Sequence, residues 1–337
     1  MTALEKALPH NPAATAVHYP LAMAYRRLGQ LDEAQTHLAQ QGGVAPRPDD
    51  PLMSALGELL ESPEVYSSRG RSALVAGNWA AAADLFERGL TMAPTDPFLR
   101  HGFGGALLRM GDQRGAETQF RRVIQDNPTH VEAYYSLSEL LEATGRPGEA
   151  VAALRTALEY APGHVAARTR LAGILGRSGA PADALPEFSR ALELAPENAE
   201  AAFGYGMGLD RLDRFEAARD AFSEGMQTFP DPTPFALALA RLLAAAPDPG
   251  VRDGQQALNL AENLLEETPG LALGETIAMA LAELGRFGDA TQMPRDVMTV
   301  AQQAGIDRTV ILRMNDNLLL YENGRASRRP FRSDEMP

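Results

Sequence analysis

The chain has 337 residues, 31 Lys and Arg against 44 Asp and Glu, a formal net charge of -13 and a pI near 5.0, a balance that disfavours non-specific nucleic-acid binding. With no cysteine there are no disulfides, thiolate nucleophiles or thiolate metal sites, and Lys6 is the sole lysine, so arginine carries nearly all the positive charge. Ala and Leu dominate the apolar fraction, aromatics make up 6%, and no period-2 run of β-branched residues occurs, which points to closely packed helices and away from sheets.

A period organises the elements. Pro94, Pro128, Pro162, Pro196 and Pro230 stand 34 residues apart, as do Gly77, Gly111, Gly145 and Gly179, with Asp213 at the next place in that series. In chain order, residues 1–14 read as the tail of a preceding repeat, through Ala7, Leu8 and Pro12. The chain thus starts inside a repeat, which suggests a fragment of a longer protein. A first repeat covers 15–48 on Tyr25, Gly29, Ala34, Leu38 and Pro46. An inserted stretch, 49–62, holds a short helix over Pro51–Glu61, with Asp50 as N-cap and proline at its first position.

The regular block follows as repeats at 63–96, 97–130, 131–164, 165–198 and 199–232. Within each, positions 4, 7, 8 and 11 form the buried stripe of a first helix, as in Tyr134, Leu137, Ser138 and Leu141. The glycine at position 15 ends that helix in a left-handed turn. A second helix then presents Ala82, Ala116, Ala150, Ala184 and Ala218 at position 20, and Phe86, Phe120, Leu154, Phe188 and Phe222 at position 24. Position 8 is small (Gly104, Ser138, Ala172, Gly206), so the paired helices can approach closely. A seventh repeat, 233–270, has a lengthened turn at Pro247–Gly254, whose two aspartates read as turn residues rather than a metal loop. An eighth, 271–304, is irregular because Pro294 falls inside its second helix. Residues 305–323 form a capping helix with an apolar stripe (Val310, Ile311, Met314, Leu318, Tyr321) and a polar face that includes Asn315 and Asn317. The Arg-rich tail 324–337 is expected to be disordered.

This unit resembles the tetratricopeptide repeat of bacterial proteins, with mild departures at Arg100 and Arg168. The stretch Leu239-Ala240-Arg241 through Gly254 is similar to the ends of many bacterial members. The resemblance implies an all-α, right-handed α-α superhelix of about eight helix-turn-helix repeats with a C-terminal cap. It also implies a non-catalytic scaffold or adaptor that holds a peptide or protein segment in a concave groove. The alternative is the substrate-docking arm of a larger enzyme whose catalytic domain lies outside this chain.

In the family, positions 2, 5, 9, 12 and 13 of the first helix line that groove. Here they give Arg71, His101, Arg109, Tyr135, Glu139, Glu142, Arg177, Phe203, Met207, Asp210, Arg211 and Arg241. Position 13 is arginine at Arg27, Arg109, Arg177 and Arg211, a series able to meet carboxylates of an acidic partner segment, or to pair with Glu139, Glu142 and Asp210. Phe203 and Met207 are candidates for an apolar anchor pocket. The Lys/Asn carboxylate clamp of chaperone-binding members is missing, and position 6 (Gly102, Ser136, Arg170, Gly204) lacks an asparagine ladder, so neither mode is expected.

No phosphate loop, nucleophile elbow or His-Glu-x-x-His occurs, and His10, His18, His37, His101, His130 and His164 lack ligand spacing; no catalysis, metal or cofactor is expected. His130 and His164 read as turn residues. With no signal peptide or membrane span visible, the expected location is cytoplasmic, a periplasmic or secreted one staying open if the N-terminus is truncated. Self-association through an open N-terminal repeat is a further expectation, and no nucleic acid or membrane insertion is expected.

Overall fold

The computed structural model describes Glu5 and residues 15–41, 62–267, 270–292, 295 and 308–331. The inserted helix over 51–61 and the break expected at Pro294 lie outside the described residues. The chain divides into two units, Met1–Asp126 and Asn127–Pro337. Among the described residues all regular structure is helical, so the fold class is all-α.

In the first unit a 3-10 turn, Thr15–Val17, leads into α1 (His18–Arg27) and α2 (Leu31–Ala39). There follow α3 (Pro63–Val75), α4 (Trp79–Met92), α5 (Pro97–Arg109) and α6 (Gln113–Asp126). Successive helices from α3 to α6 pack together, and the first helices α3 and α5 touch side by side. The second unit continues with α7 (Val131–Ala143), α8 (Pro147–Tyr160), α9 (Val165–Arg177), α10 (Pro181–Leu194), α11 (Ala199–Arg211) and α12 (Phe215–Thr228). It ends with α13 (Thr233–Ala245), α14 (Gly254–Glu267), α15 (Leu271–Glu283) and α16 (Arg308–Glu322). Neighbours in sequence pack pairwise from α7 to α15, and first helix meets first helix at α9–α11 and α13–α15.

The turn between paired helices explains the glycine series. Gly77, Gly111, Gly145 and Gly179 all have φ between 75° and 86°, where a Cβ is strained. Asp213, in the same place, has φ 57° and is the one non-glycine with positive φ among the described residues. Aspartate tolerates this region better than most side chains.

Packing is set by the large residue at position 24. Phe86, Phe120, Phe188 and Phe222 are at most 1% exposed. Each ring presses on a glycine where a Cβ would intrude: Phe86 on Gly70 and Gly102, Phe120 on Gly104, Phe188 on Gly204, Phe222 on Gly206. An added Cβ would lie 2.3–2.7 Å from the nearest ring atom. The alanines at position 20 are fully buried. The small-residue positions are therefore seats for the rings of the same repeat and of the one before.

The first helices of the five regular repeats begin on side-chain caps in one register. Ser62, Asp96, His130, His164 and Asn198 each accept a backbone N–H from the first turn. The two histidines are thus more specific than turn residues: Nδ1 of His130 accepts from Ala133 N–H at 3.2 Å, and Nδ1 of His164 from Ala167 N–H at 3.1 Å. The arginines that depart from the repeat pattern also have fixed partners. Arg168 donates to the Pro162 carbonyl at 2.8 Å and pairs with Glu187, while Arg100 reaches the Pro94 carbonyl and Gln119. Each ties the proline that ends one repeat to the helix pair of the next.

Two expectations at the C-terminal end need correction. Asn317 is buried rather than on a solvent face, because its Nδ2 donates to Glu275 Oε1 at 3.1 Å. The tail is not free over residues 324–331. Gly324 turns the chain at φ 65°, Ser327 and Pro330 are buried, and Ala326 and Phe331 pack on the core of the second unit. The apolar and ion-pair contacts available on that surface outweigh the polar composition that suggests disorder.

Candidate partner-binding faces

In the first unit α3 and α5 bring Arg71 and His101 to one cavity of about 420 Å3, with Leu74, Phe98, Glu64 and Asp96 among its other walls. Phe98 is 68% exposed, which leaves a large apolar surface at the rim. The His101 ring stands 5.5 Å from that of Phe120 while the residue lines the cavity. Arg109 does not join them. Its guanidinium lies 5.8 Å from the Trp79 ring centroid, a cation-π contact with the second helix of the preceding repeat.

In the second unit Tyr135, Glu139, Glu142 and Arg177 form a connected polar group centred on Arg170. Arg170 donates to Glu139 at 3.2 Å and to Glu142 at 2.9 Å, and sits 5.5 Å from the Tyr135 ring centroid. Arg177 donates to the other oxygen of Glu142 at 2.5 Å. Arg170, at position 6, is the residue that the sequence pattern did not mark; its spacing of one repeat from Ser136 and Gly204 was the available signal. Of the position-13 arginines, Arg177 thus meets an acidic residue of this face, whereas Arg109 lies over Trp79.

Further along, Phe203 and Met207 of α11 and Arg241 of α13 line a pocket of about 240 Å3 with Pro234, Leu237, Ala238 and Phe331. Phe203 packs edge-on to Phe235 at 5.6 Å. Arg241 is buried, donates to Glu275 at 2.9 Å and stands 5.9 Å from the Phe331 ring centroid. Asp210 is buried and its Oδ1 has no hydrogen-bond partner among the described residues. Burial pushes its carboxyl up to about 7, against the opposing pull of the Arg211 charge. Arg211 beside it is partly buried. Glu275, at groove position 5 of the eighth repeat, and Phe331, which carries no signal in the repeat pattern, also belong to this face.

Among the described residues no group of His, Asp and Glu could hold a metal ion, and no helix is long and apolar enough to cross a membrane. Helix pairs in a 34-residue period define an interaction-scaffold class of repeat protein. The comparisons give the family. Models described as tetratricopeptide repeat match residues 15–40, 54–97, 102–165, 141–195 and 175–242. Human tetratricopeptide repeat protein 7A is 31% identical over 131 residues, 39% of this chain. The chain spans only 14% of that relative's length. In fold alone it is similar to a tetratricopeptide repeat protein from Parabacteroides merdae, with a TM-score of 0.55 and 15% identity over 77% of this chain and 99% of that one. A structure from a functional characterization of Pseudomonas aeruginosa pilF gives 0.54 and 17%, over 63% and 94%. The chain belongs to the tetratricopeptide-repeat family.

Proposed function

We propose that this protein is a non-catalytic scaffold that binds an extended protein segment along the first-helix face of its repeats. The observation that carries this reading is the cavity in the first unit where Arg71 and His101, one helix pair apart, stand beside the exposed Phe98. An aromatic wall with an exposed guanidinium suits a segment with an apolar residue next to a carboxylate, which Arg71 can meet bidentately. The arginines of the second unit argue less for an acidic ligand, since Arg170, Arg177 and Arg241 already face carboxylates of the chain.

The test is a peptide array of extended segments with and without Asp or Glu beside an aromatic residue. Arg71→Glu should weaken binding of the acidic members about ten-fold or more. Arg88→Glu, on the exposed face of α4, should leave it unchanged. Equal loss with both variants, or with neither, would contradict the assignment of the face.

A further inference from the structure

The second unit carries its own extended segment on the face that a partner would use. After α16 the chain turns at Gly324, whose N–H donates to the Tyr321 carbonyl, and residues 325–331 run on without helix. Two side chains three residues apart hold this segment. Arg328 donates to Glu283 Oε2 at 2.7 Å, and the other oxygen of the same carboxylate accepts from Arg252 at 2.8 Å. Phe331 lies over Arg241, with its ring centroid 6.1 Å from that of Phe222.

Along this segment Ser327 and Pro330 are buried while Arg328 and Arg329 are exposed. The pocket does not close over the ring, since about 240 Å3 stays open beside Phe331. Charge is complementary as well. Residues 325–332 hold Arg325, Arg328, Arg329 and Arg332 in a chain of net charge -13. The hold is modest, because Arg328 is 44% exposed and a solvated ion pair contributes little, so tethering supplies much of the occupancy.

We propose that Glu283 and the pocket of Phe203, Met207 and Arg241 form a recognition site for an extended partner segment carrying an arginine and, three residues later, an aromatic ring. Residues 327–331 occupy that site in cis, and a partner segment of the same pattern displaces them. The proposal extends the scaffold reading to the second unit and does not depend on the cavity at Arg71 and His101, so either can fail alone.

The probe is a fluorescein-labelled peptide of residues 324–332, titrated into the full chain and into a full chain carrying Arg328→Ala and Phe331→Ala. The substituted chain is expected to bind the peptide at least about ten-fold more tightly than the unmodified one, the tethered competitor being gone. A peptide with alanine in place of its phenylalanine should bind neither. Leu237→Asp on the pocket wall, added to the substituted chain, should abolish the gain. Arg328→Glu alone, a surface change, should release the tail in part and give an intermediate affinity. Equal affinity for the substituted and unmodified chains, or no binding to either, would overturn the proposal. So would unfolding of the doubly substituted chain, since the tail would then be a structural seal and not a displaceable ligand.

Discussion

Asp213 stands at φ 57° in a place where glycine serves the other repeats of the regular block. A side chain there costs about 1 kcal/mol or somewhat more, less for aspartate than for most residues. Asp213→Gly is therefore expected to raise stability by about 0.5–1 kcal/mol, read as a higher urea midpoint at unchanged slope. The packed glycines behave in the opposite sense. At Gly204 an added Cβ would meet the Phe188 ring at 2.3 Å, so Gly204→Ala should cost about 1–3 kcal/mol. At Gly105 nothing lies within 4 Å, and alanine should be neutral or stabilising by up to about 1 kcal/mol. A pair of urea melts separates the two cases, and equal effects would contradict the ring-seat account.

Asp210 gives a pH dependence of a definite sign. Its carboxyl is held up near 7 by burial against an ordinary 3.8, so the folded chain binds a proton that the unfolded chain has already released between those values. The group thus disfavours folding progressively as pH rises from about 4 to 7, and fully above that. Asp210→Asn should stabilise the chain at pH 8 by about 2–4 kcal/mol and have little effect at pH 4. Thermal melts of both chains across this range check it, and a stabilisation that grows toward acid would have the wrong sign.

At the scale of the element, each repeat of the regular block is held by a large buried residue at position 24, a ring in four of the five, and by a side-chain cap on its first helix. Phe188→Ala removes a ring that is 1% exposed and should cost about 3–5 kcal/mol. Large residues at Ala150 or Ala184 should cost about 1–3 kcal/mol by overpacking. The helix pairs, their turns and the small residues at position 8 were legible because each rests on a local rule that repeats in register, such as Gly145 at φ 75° ending α7, whereas the seats at Gly102 and Gly204 were not. What escaped was carried by side-chain partnerships that spacing alone does not name. His130 and His164 cap helices through Nδ1, a role that histidine spacing does not announce. Arg170 joins Glu139 and Glu142 from the next repeat, so the groove residues were named without their central partner. The tail was misread because Arg328 and Phe331 find partners in Glu283, Arg241 and Phe222, far away in sequence.

At the scale of the molecule, we propose two different recognition surfaces for an acidic tetratricopeptide-repeat chain, one in each unit. In the first, Arg71 and His101 face an open cavity; in the second, Arg170, Arg177 and Arg241 are committed to Glu142 and Glu275, and Phe331 of the tail lines the pocket. Both surfaces lie on first helices, which is the central claim. Hydrogen exchange on the chain, free and saturated with the best-bound member of the acidic–aromatic peptide array, tests it most directly. Slowed exchange should fall on α3 and α5, around Arg71 and His101, with α4 and α6 unchanged. Protection confined to the second helices α4 and α6 would contradict the assignment of the binding face.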